Sequence, residues 1–146
     1  MKIVAMIPCR LGSQRIPKKN LRLLGGKTLS QWVIDACKEA EVFDDIYINS
    51  ESTVFEKIAL DRGVMYYQRP EHLSSNSASN DDFSLDFFNA IECDVLVQVN
   101  PTSPFTSSDD LRSFVKMYRE GKYHTLHTVK EEQIEGLYEN KATIAP

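Results

Sequence analysis

No aspartate or glutamate occurs in the first thirty residues of this 146-residue chain. Seven basic residues stand there instead: Lys2, Arg10, Arg15, Lys18, Lys19, Arg22 and Lys27. All twenty-one acidic residues follow, against the remaining ten of seventeen Lys and Arg, and the whole chain carries a net charge of −4. An acidic chain is a poor non-specific nucleic-acid binder, so the cationic segment suits a small anion better. Cysteine is scarce. Cys9, Cys37 and Cys93 are odd in number and widely spaced. They form no zinc or disulfide framework, which favours a reducing cytosol. No apolar run reaches the roughly 20 residues that cross a membrane. The start, MKIVAMIP, runs straight into basic residues with no cleavage pattern, so it reads as a strand rather than a signal peptide. Internal repeats and low-complexity segments are also absent. With 42% hydrophobic and 26% charged residues, the chain fits one soluble domain with its own core.

Strand-like and helix-like periodicities alternate along the chain. Residues 2–8 form an apolar run suited to a buried strand. Leu29, Trp32, Val33, Ala36, Cys37 and Ala40 recur at helical spacing after Thr28, a candidate cap. Residues 45–49 and 64–67 read as strands. Between them Thr53 and Glu56 have capping-box spacing, and Gly63 suits a helix end. Residues 69–79 are a Ser- and Asn-rich loop. Phe83, Phe87, Phe88 and Ile91 mark the next helix, and residues 94–99, DVLVQV, the next buried strand. NPTSPFT must be loop, because Pro101 and Pro104 break helices and ladders alike. Ser107 or Ser108 caps a helix burying Leu111, Phe114, Val115 and Tyr118, and residues 124–129 alternate like a strand. The expected domain covers residues 1–130, with 131–146 a tail or the start of a truncated region.

Strands separated by helices imply a mostly parallel sheet with helices on both faces, a Rossmann-like three-layer α/β fold. In such sheets ligands bind beyond the carboxyl ends of the strands. The basic loop after the first strand and the NPTSP loop after DVLVQV both occupy such ends. If their strands are neighbours, the loops face one crevice.

Five of the seven cations sit in residues 9–22, CRLGSQRIPKKNLR. Gly12 and Ser13 can present backbone and hydroxyl donors to phosphate oxygens. Arg10 and Arg15 can clamp phosphates bidentately. Lys19 can neutralise charge on a departing pyrophosphate. Asn20 offers a paired donor and acceptor to a base or ribose edge. Charge runs are usually just solvated surface; the missing carboxylates weigh against that reading.

The string IPCRLGSQRIPKKN resembles the N-terminal signature of the acylneuraminate cytidylyltransferases, approximately I-P-A-R-x-G-S-x-x-x-x-x-K-N. QVNPTSPF is similar to that family's L-Q-P-T-S-P-L segment, and LGGKTLSQWVIDAC and YYQRPEHLSSNSAS match in kind and spacing. The resemblance spans roughly residues 2–129, and four ordered motifs are far more specific than one glycine-rich loop. It implies a fold of the nucleotide-diphospho-sugar transferase type. It further implies a reaction joining CTP to an acidic nine-carbon sugar such as a sialic acid, with Mg²⁺ and release of pyrophosphate. The sugar's anomeric hydroxyl attacks the α-phosphorus, and the full-length form is a homodimer of the cytosol. By motif position, Arg10, Ser13 and Lys19 would hold the triphosphate, with Arg10 and Lys19 the catalytic cations. Asn20, Arg69, Ala78 and Asn80 would line the cytidine pocket. Asn100, Thr102 and Ser103 would face the sugar. Cys9 stands where the family has Ala, Asn100 where it has Gln, and Asn80 where it often has Ser.

The family's later D-x-D metal pair has no counterpart here, so the metal ligands are unknown. The pairs Asp81–Asp82 and Asp109–Asp110 fall in first turns of helices, where carboxylates favour the dipole. His124 and His127, three apart on an expected strand, point to opposite faces and share no metal. His72 reads as surface or as a nucleotide contact. Trp32 and the phenylalanines read as core, and Cys9 and Cys93 as buried small residues. Two alternatives remain. One is a CTP- or CMP-binding module without turnover. The other is a different sugar nucleotidyltransferase, such as a 3-deoxy-octulosonate cytidylyltransferase, whose corresponding loop usually carries an acidic residue that PTSP lacks.

Overall fold

The computed structural model describes residues 1–13 and 15–129, and the backbone of Glu135–Tyr138 and Lys141–Ile144. In chain order the first elements are β1 (Ile3–Pro8), β2 (Leu23–Leu24), β3 (Lys27–Thr28), α1 (Leu29–Ala40) and β4 (Asp45–Ser50). Next come α2 (Val54–Arg62), β5 (Met65–Gln68), α3 (Asn80–Ala90), β6 (Val95–Gln98) and α4 (Ser108–Glu120). The last two strands, β7 (Glu135–Tyr138) and β8 (Lys141–Ile144), pair antiparallel with each other. Short 3₁₀ turns occupy Lys19–Leu21 and Glu71–Ser74.

The main sheet has the order β5-β4-β1-β6, all parallel. β1 is interior, and Ile3 to Ile7 are wholly buried. Apolar residues on both faces of one strand demand cover on both faces, and the helices supply it. Ile3, Ala5 and Ile7 pack with Val33, Ile34 and Cys37 of α1, Phe55 and Ala59 of α2, and Leu111 and Val115 of α4. Val4 and Met6 meet Phe83 and Phe87 of α3 on the opposite face. Tyr47 and Tyr67 stand edge-on to Phe87, with ring centroids 5.3 and 5.1 Å away. The three-layer α/β arrangement is therefore as expected from the sequence.

The ends of the sheet differ in charge. At the amino ends, Asp44 accepts the Ile3 N–H and Asp94 the Lys2 N–H, both at 2.6 Å. At the carboxyl ends lies the basic loop. Pro8 is opposite Asn49, Ser50 opposite Gln68, and Met6 opposite Gln98. The four strands thus finish on one edge and deliver their loops to one place.

Helix starts follow local chemistry. Thr28, Ser79 and Ser107 each accept from the backbone three residues on, and Gln31, Asp82 and Asp110 reach back to complete capping boxes. Backbone and hydroxyl bonds from Ser79 and Ser107 hold the Asp82 and Asp110 carboxyls below their usual range. Asp109 pairs with Arg112 at 2.6 Å. Gly63 ends α2 in the left-handed conformation, φ 63°.

Several expectations are corrected. Thr53 makes no side-chain cap; the Ser52 carbonyl accepts the Phe55 N–H at 3.0 Å instead. Trp32 is not core. Its Nε1 donates to the Leu24 carbonyl at 2.7 Å, and Lys27 Nζ lies 4.7 Å from its ring centroid. It braces the β2–β3 hairpin, whose turn is Gly25–Gly26 with φ 58° and 88°. Phe88 is exposed. Residues 124–129 form no strand, so His124 and His127 sit exposed on irregular chain. Cys93 is only half-buried, whereas Cys9 is fully enclosed. The strands expected at 64–67 and 94–99 run Met65–Gln68 and Val95–Gln98. The stretch 131–146 lies outside the described residues, apart from the backbone of β7 and β8.

Candidate functional site

β1 and β6 are neighbours, so the loops that follow them do face one crevice. Its cavity is about 530 Å³, within the range of small-molecule sites. The loop after β1 contributes Arg10, Ser13, Arg15, Ile16, Lys19 and Asn20. The segment from β5 into α3 contributes Arg69, Leu73, Ser75, Asn76, Ala78, Asn80 and Phe83. Asn100, Pro101 and Thr102 close the side beyond β6. Of the residues singled out in the sequence for the nucleotide or the sugar, Gly12, His72 and Ser103 do not line it. Gly12 is exposed, and an added Cβ there would meet nothing within 4 Å. The Ser103 N–H instead donates to the Asn100 carbonyl at 3.0 Å, closing a turn.

The basic wall is lightly tied. Lys18 adopts a left-handed conformation, φ 52° and ψ 39°, and turns the chain into the Lys19–Leu21 turn. That turn places Lys19 on the cavity and buries Asn20. Asn20 Nδ2 donates to the Arg10 carbonyl at 3.2 Å, and its own carbonyl accepts Ser30 Oγ at 3.0 Å. Asn20 thus pins the loop to α1. Its side-chain oxygen has no protein partner among the described residues. Among the described residues the Arg10 guanidinium makes one hydrogen bond, Nη1 to Asn76 Oδ1 at 3.2 Å.

The opposite wall is built on a buried guanidinium. Arg69 is only 3% exposed. Its Nε donates to Asn49 Oδ1 at 2.7 Å and its Nη2 to the Asn49 carbonyl at 2.9 Å. The guanidinium carbon lies 4.2 Å over the Phe83 ring. Burial pulls Arg69 below its ordinary value, and the nearby Glu51 carboxylate opposes this. An Arg so fixed offers its remaining N–H groups to the cavity in one orientation. Asn49 is wholly buried, and its Nδ2 contacts Met6 Sδ at 3.1 Å. On the third side, Ser84 donates to Gln98 Oε1 at 3.1 Å and Gln98 Nε2 donates to Asn100 Oδ1 at 2.9 Å. Asn100 therefore has its oxygen engaged, and its amide N–H groups have no partner among the described residues.

Asn49, Glu51, Asn76 and Gln98 escaped the sequence reading. The first two follow the IYI of β4, and their position at a strand's carboxyl end was the available signal. His72 lies exposed in the 3₁₀ turn and does not line the cavity.

Among the described residues, the lining contains no Asp, Glu, His or Cys. No group of three such residues among the described residues is placed to hold a metal. The described residues therefore do not fit a protein-held Mg²⁺, a hard cation that takes carboxylate oxygens. What the cavity can do is accept a polyanion on one wall and a planar polar group on the other.

Comparison with known proteins gives the family and the fold. The sequence model of the cytidylyltransferase family matches residues 4–144. The N-acylneuraminate cytidylyltransferase of Streptococcus agalactiae serotype III (strain NEM316) is 35% identical over 123 residues, 81% of this chain and 29% of that protein. The 3-deoxy-manno-octulosonate cytidylyltransferase of Flavobacterium johnsoniae is 29% identical over 120 residues, 82% of this chain and 47% of that protein. Among solved structures, CMP:2-keto-3-deoxy-manno-octonic acid synthetase complexed with CTP superposes with a TM-score of 0.72 at 20% identity. That match covers 82% of this chain and 48% of the other. The chain thus spans less than half the length of these relatives.

Proposed function

The chain belongs to the cytidylyltransferase family, and on that premise we propose that its crevice binds CTP for transfer of the cytidylyl group to an acidic nine-carbon sugar. The observation that carries this reading is the cavity itself: cations on one wall, a fixed guanidinium on the other, and no carboxylate among the described lining residues. Arg10, Ser13 and Lys19 take the triphosphate. Asn20, Arg69, Ala78 and Asn80 surround the cytidine. Asn100 and Thr102 face the sugar, with Ser103 supporting their turn.

In the reaction the anomeric oxygen of the sugar forms a bond to the α-phosphorus, the bond to the bridging oxygen of pyrophosphate breaks, and the hydroxyl proton is lost to base. Lys19 and Arg10 neutralise charge growing on the leaving pyrophosphate, which is where fixed cations accelerate such a step. Asn100 presents amide N–H groups, so it suits a carboxylate or carbonyl on the acceptor. Mg²⁺ belongs to the reading as a component of the assay, and no step is derived through it. The reading places the protein in the cytosol and its full-length form in a homodimer; no helix among the described residues is long and apolar enough to cross a membrane.

A second reading has support of its own. The octulosonate enzymes match in sequence and in fold, so an eight-carbon acidic sugar is the competing acceptor. The test mixes the chain with CTP, Mg²⁺ and a panel of acidic nonuloses and octulosonate, and follows pyrophosphate. The 146-residue chain alone is expected to bind CTP yet turn over at least about a thousandfold slower than a typical enzyme, because metal stabilisation of the transition state is worth several kcal/mol. Ordinary turnover would show that the described residues suffice. Preference for octulosonate would favour the second reading, and absence of CTP binding would refute both.

A further inference from the structure

Glu51 follows directly on the last residue of β4 and does not line the cavity, yet its carboxylate touches both walls. Oε1 accepts the Leu11 N–H at 2.8 Å, one residue before Gly12 in the basic loop. Oε2 accepts Ser74 Oγ at 3.1 Å, at the end of the 3₁₀ turn that leads into Ser75, Asn76 and Ala78 of the other wall. Its backbone carbonyl is held by Gln68 Nε2 at 2.8 Å, so the tie is anchored to the edge of β5. The basic segment has no carboxylate of its own. Glu51 supplies one from the next strand without entering the cavity.

We propose that Glu51 is a positioning residue that fixes the spacing between the two walls, and so matches the crevice to a ligand that spans them. This rests on the nucleotide reading above. A ligand that touches one wall gains nothing from the spacing. A ligand that touches both gains the advantage of two linked contacts held at the right separation, which is lost when the separation drifts. A merely structural carboxylate would instead affect every ligand alike, through stability.

The experiment titrates the wild-type chain, Glu51→Ala, Glu51→Gln and Ser74→Ala with three probes: CTP, cytidine and tripolyphosphate. In Glu51→Ala, CTP affinity falls by about tenfold or more, the scale of one charge-assisted tie. Tripolyphosphate, which engages the basic wall alone, stays within about twofold, and cytidine, which meets the basic loop only at Asn20, loses less than CTP. Glu51→Gln keeps an acceptor for Leu11 and a group that can bond Ser74, and recovers CTP binding to within about threefold. Ser74→Ala cuts one half of the tie and shows a smaller loss with the same selectivity. It also carries the test if Glu51→Ala does not fold. Equal losses for all three probes, or unchanged CTP affinity in Glu51→Ala and Ser74→Ala, overturn the positioning role while leaving the nucleotide reading intact. Failure of the wild-type chain to bind CTP overturns the nucleotide reading and this proposal with it.

Discussion

The two walls of the crevice are made in opposite ways. The basic wall is exposed at Arg15 and Ile16, and its Arg10 side chain has a single hydrogen bond among the described residues, at 3.2 Å. On the other wall Arg69 is buried, doubly hydrogen-bonded to Asn49 and stacked on Phe83. The difference follows from what each wall has to recognise. A polyphosphate is recognised by charge, which acts over several ångströms and tolerates a loosely held side chain. A nucleobase is recognised by the placement of a few hydrogen bonds, which fail when misplaced by an ångström. Soft cations and a rigid guanidinium are therefore suited to opposite ends of one nucleotide.

The strongest way to break this comparison is to remove the rigid side. Arg69→Ala takes the 2.7 Å donor from Oδ1 of the wholly buried Asn49 and uncovers Phe83. It should cost about 2–4 kcal/mol of stability, the range for an orphaned buried polar group plus a lost cation–π contact. Denaturant unfolding measures the first effect. Titration should show cytidine and CTP losing affinity together. A stability change below about 0.5 kcal/mol, as at an ordinary surface position, would mean that Arg69 is not the frame of its wall.

The soft side should behave differently. Lys19→Ala is expected to weaken CTP by about tenfold or more, since a hydrogen bond to a charged group is worth roughly 1.5–3 kcal/mol. Stability and cytidine affinity should hardly move. The CTP affinity of the wild-type chain should also fall with added salt, while cytidine affinity stays level, because only the first is carried by exposed charge. Equal loss of cytidine and CTP in Lys19→Ala would place Lys19 on the wrong wall.

The smallest effect sharpens the picture of the basic loop. Lys18 is held at φ 52°, where a Cβ crowds its own backbone and glycine does not. Lys18→Gly should stabilise the chain by about 0.5 kcal/mol, the relief of strain less the entropy glycine gains on unfolding. A thermal melt reads the sign. Destabilisation would show that the Lys18 side chain makes a contribution beyond its backbone.

How much of this was legible in the sequence depends on the range of the interaction. β1 was, because an apolar run on both faces has one sheet environment that fits it. The capping residue Thr28 was, and Ser107 as one of two candidates with Ser108, because a cap and its partner lie three residues apart. The Asp81–Asp82 and Asp109–Asp110 pairs were, for the same reason. The meeting of the basic loop with the NPTSP loop was legible only as a condition, that β1 and β6 be neighbours. Trp32 was misplaced because helical spacing reports which face a residue takes, not where that face meets a hairpin. The expected strand at 124–129 failed because period-two alternation over six residues arises easily where nothing pairs. Glu51 and Asn49 were invisible because their partners, Leu11 and Arg69, are 40 and 20 residues away in the chain. For the site, the lining residues were largely foreseen, and what holds them was not.

The central claim is that the two walls take opposite ends of one CTP molecule. Amide chemical shifts of the isotope-labelled chain test it most directly, with tripolyphosphate, cytidine and CTP added in turn. The account predicts that tripolyphosphate moves residues 10–19, cytidine moves residues 69–80 with Asn20, and CTP moves both sets. Tripolyphosphate and cytidine moving the same wall, or CTP moving neither, would contradict it.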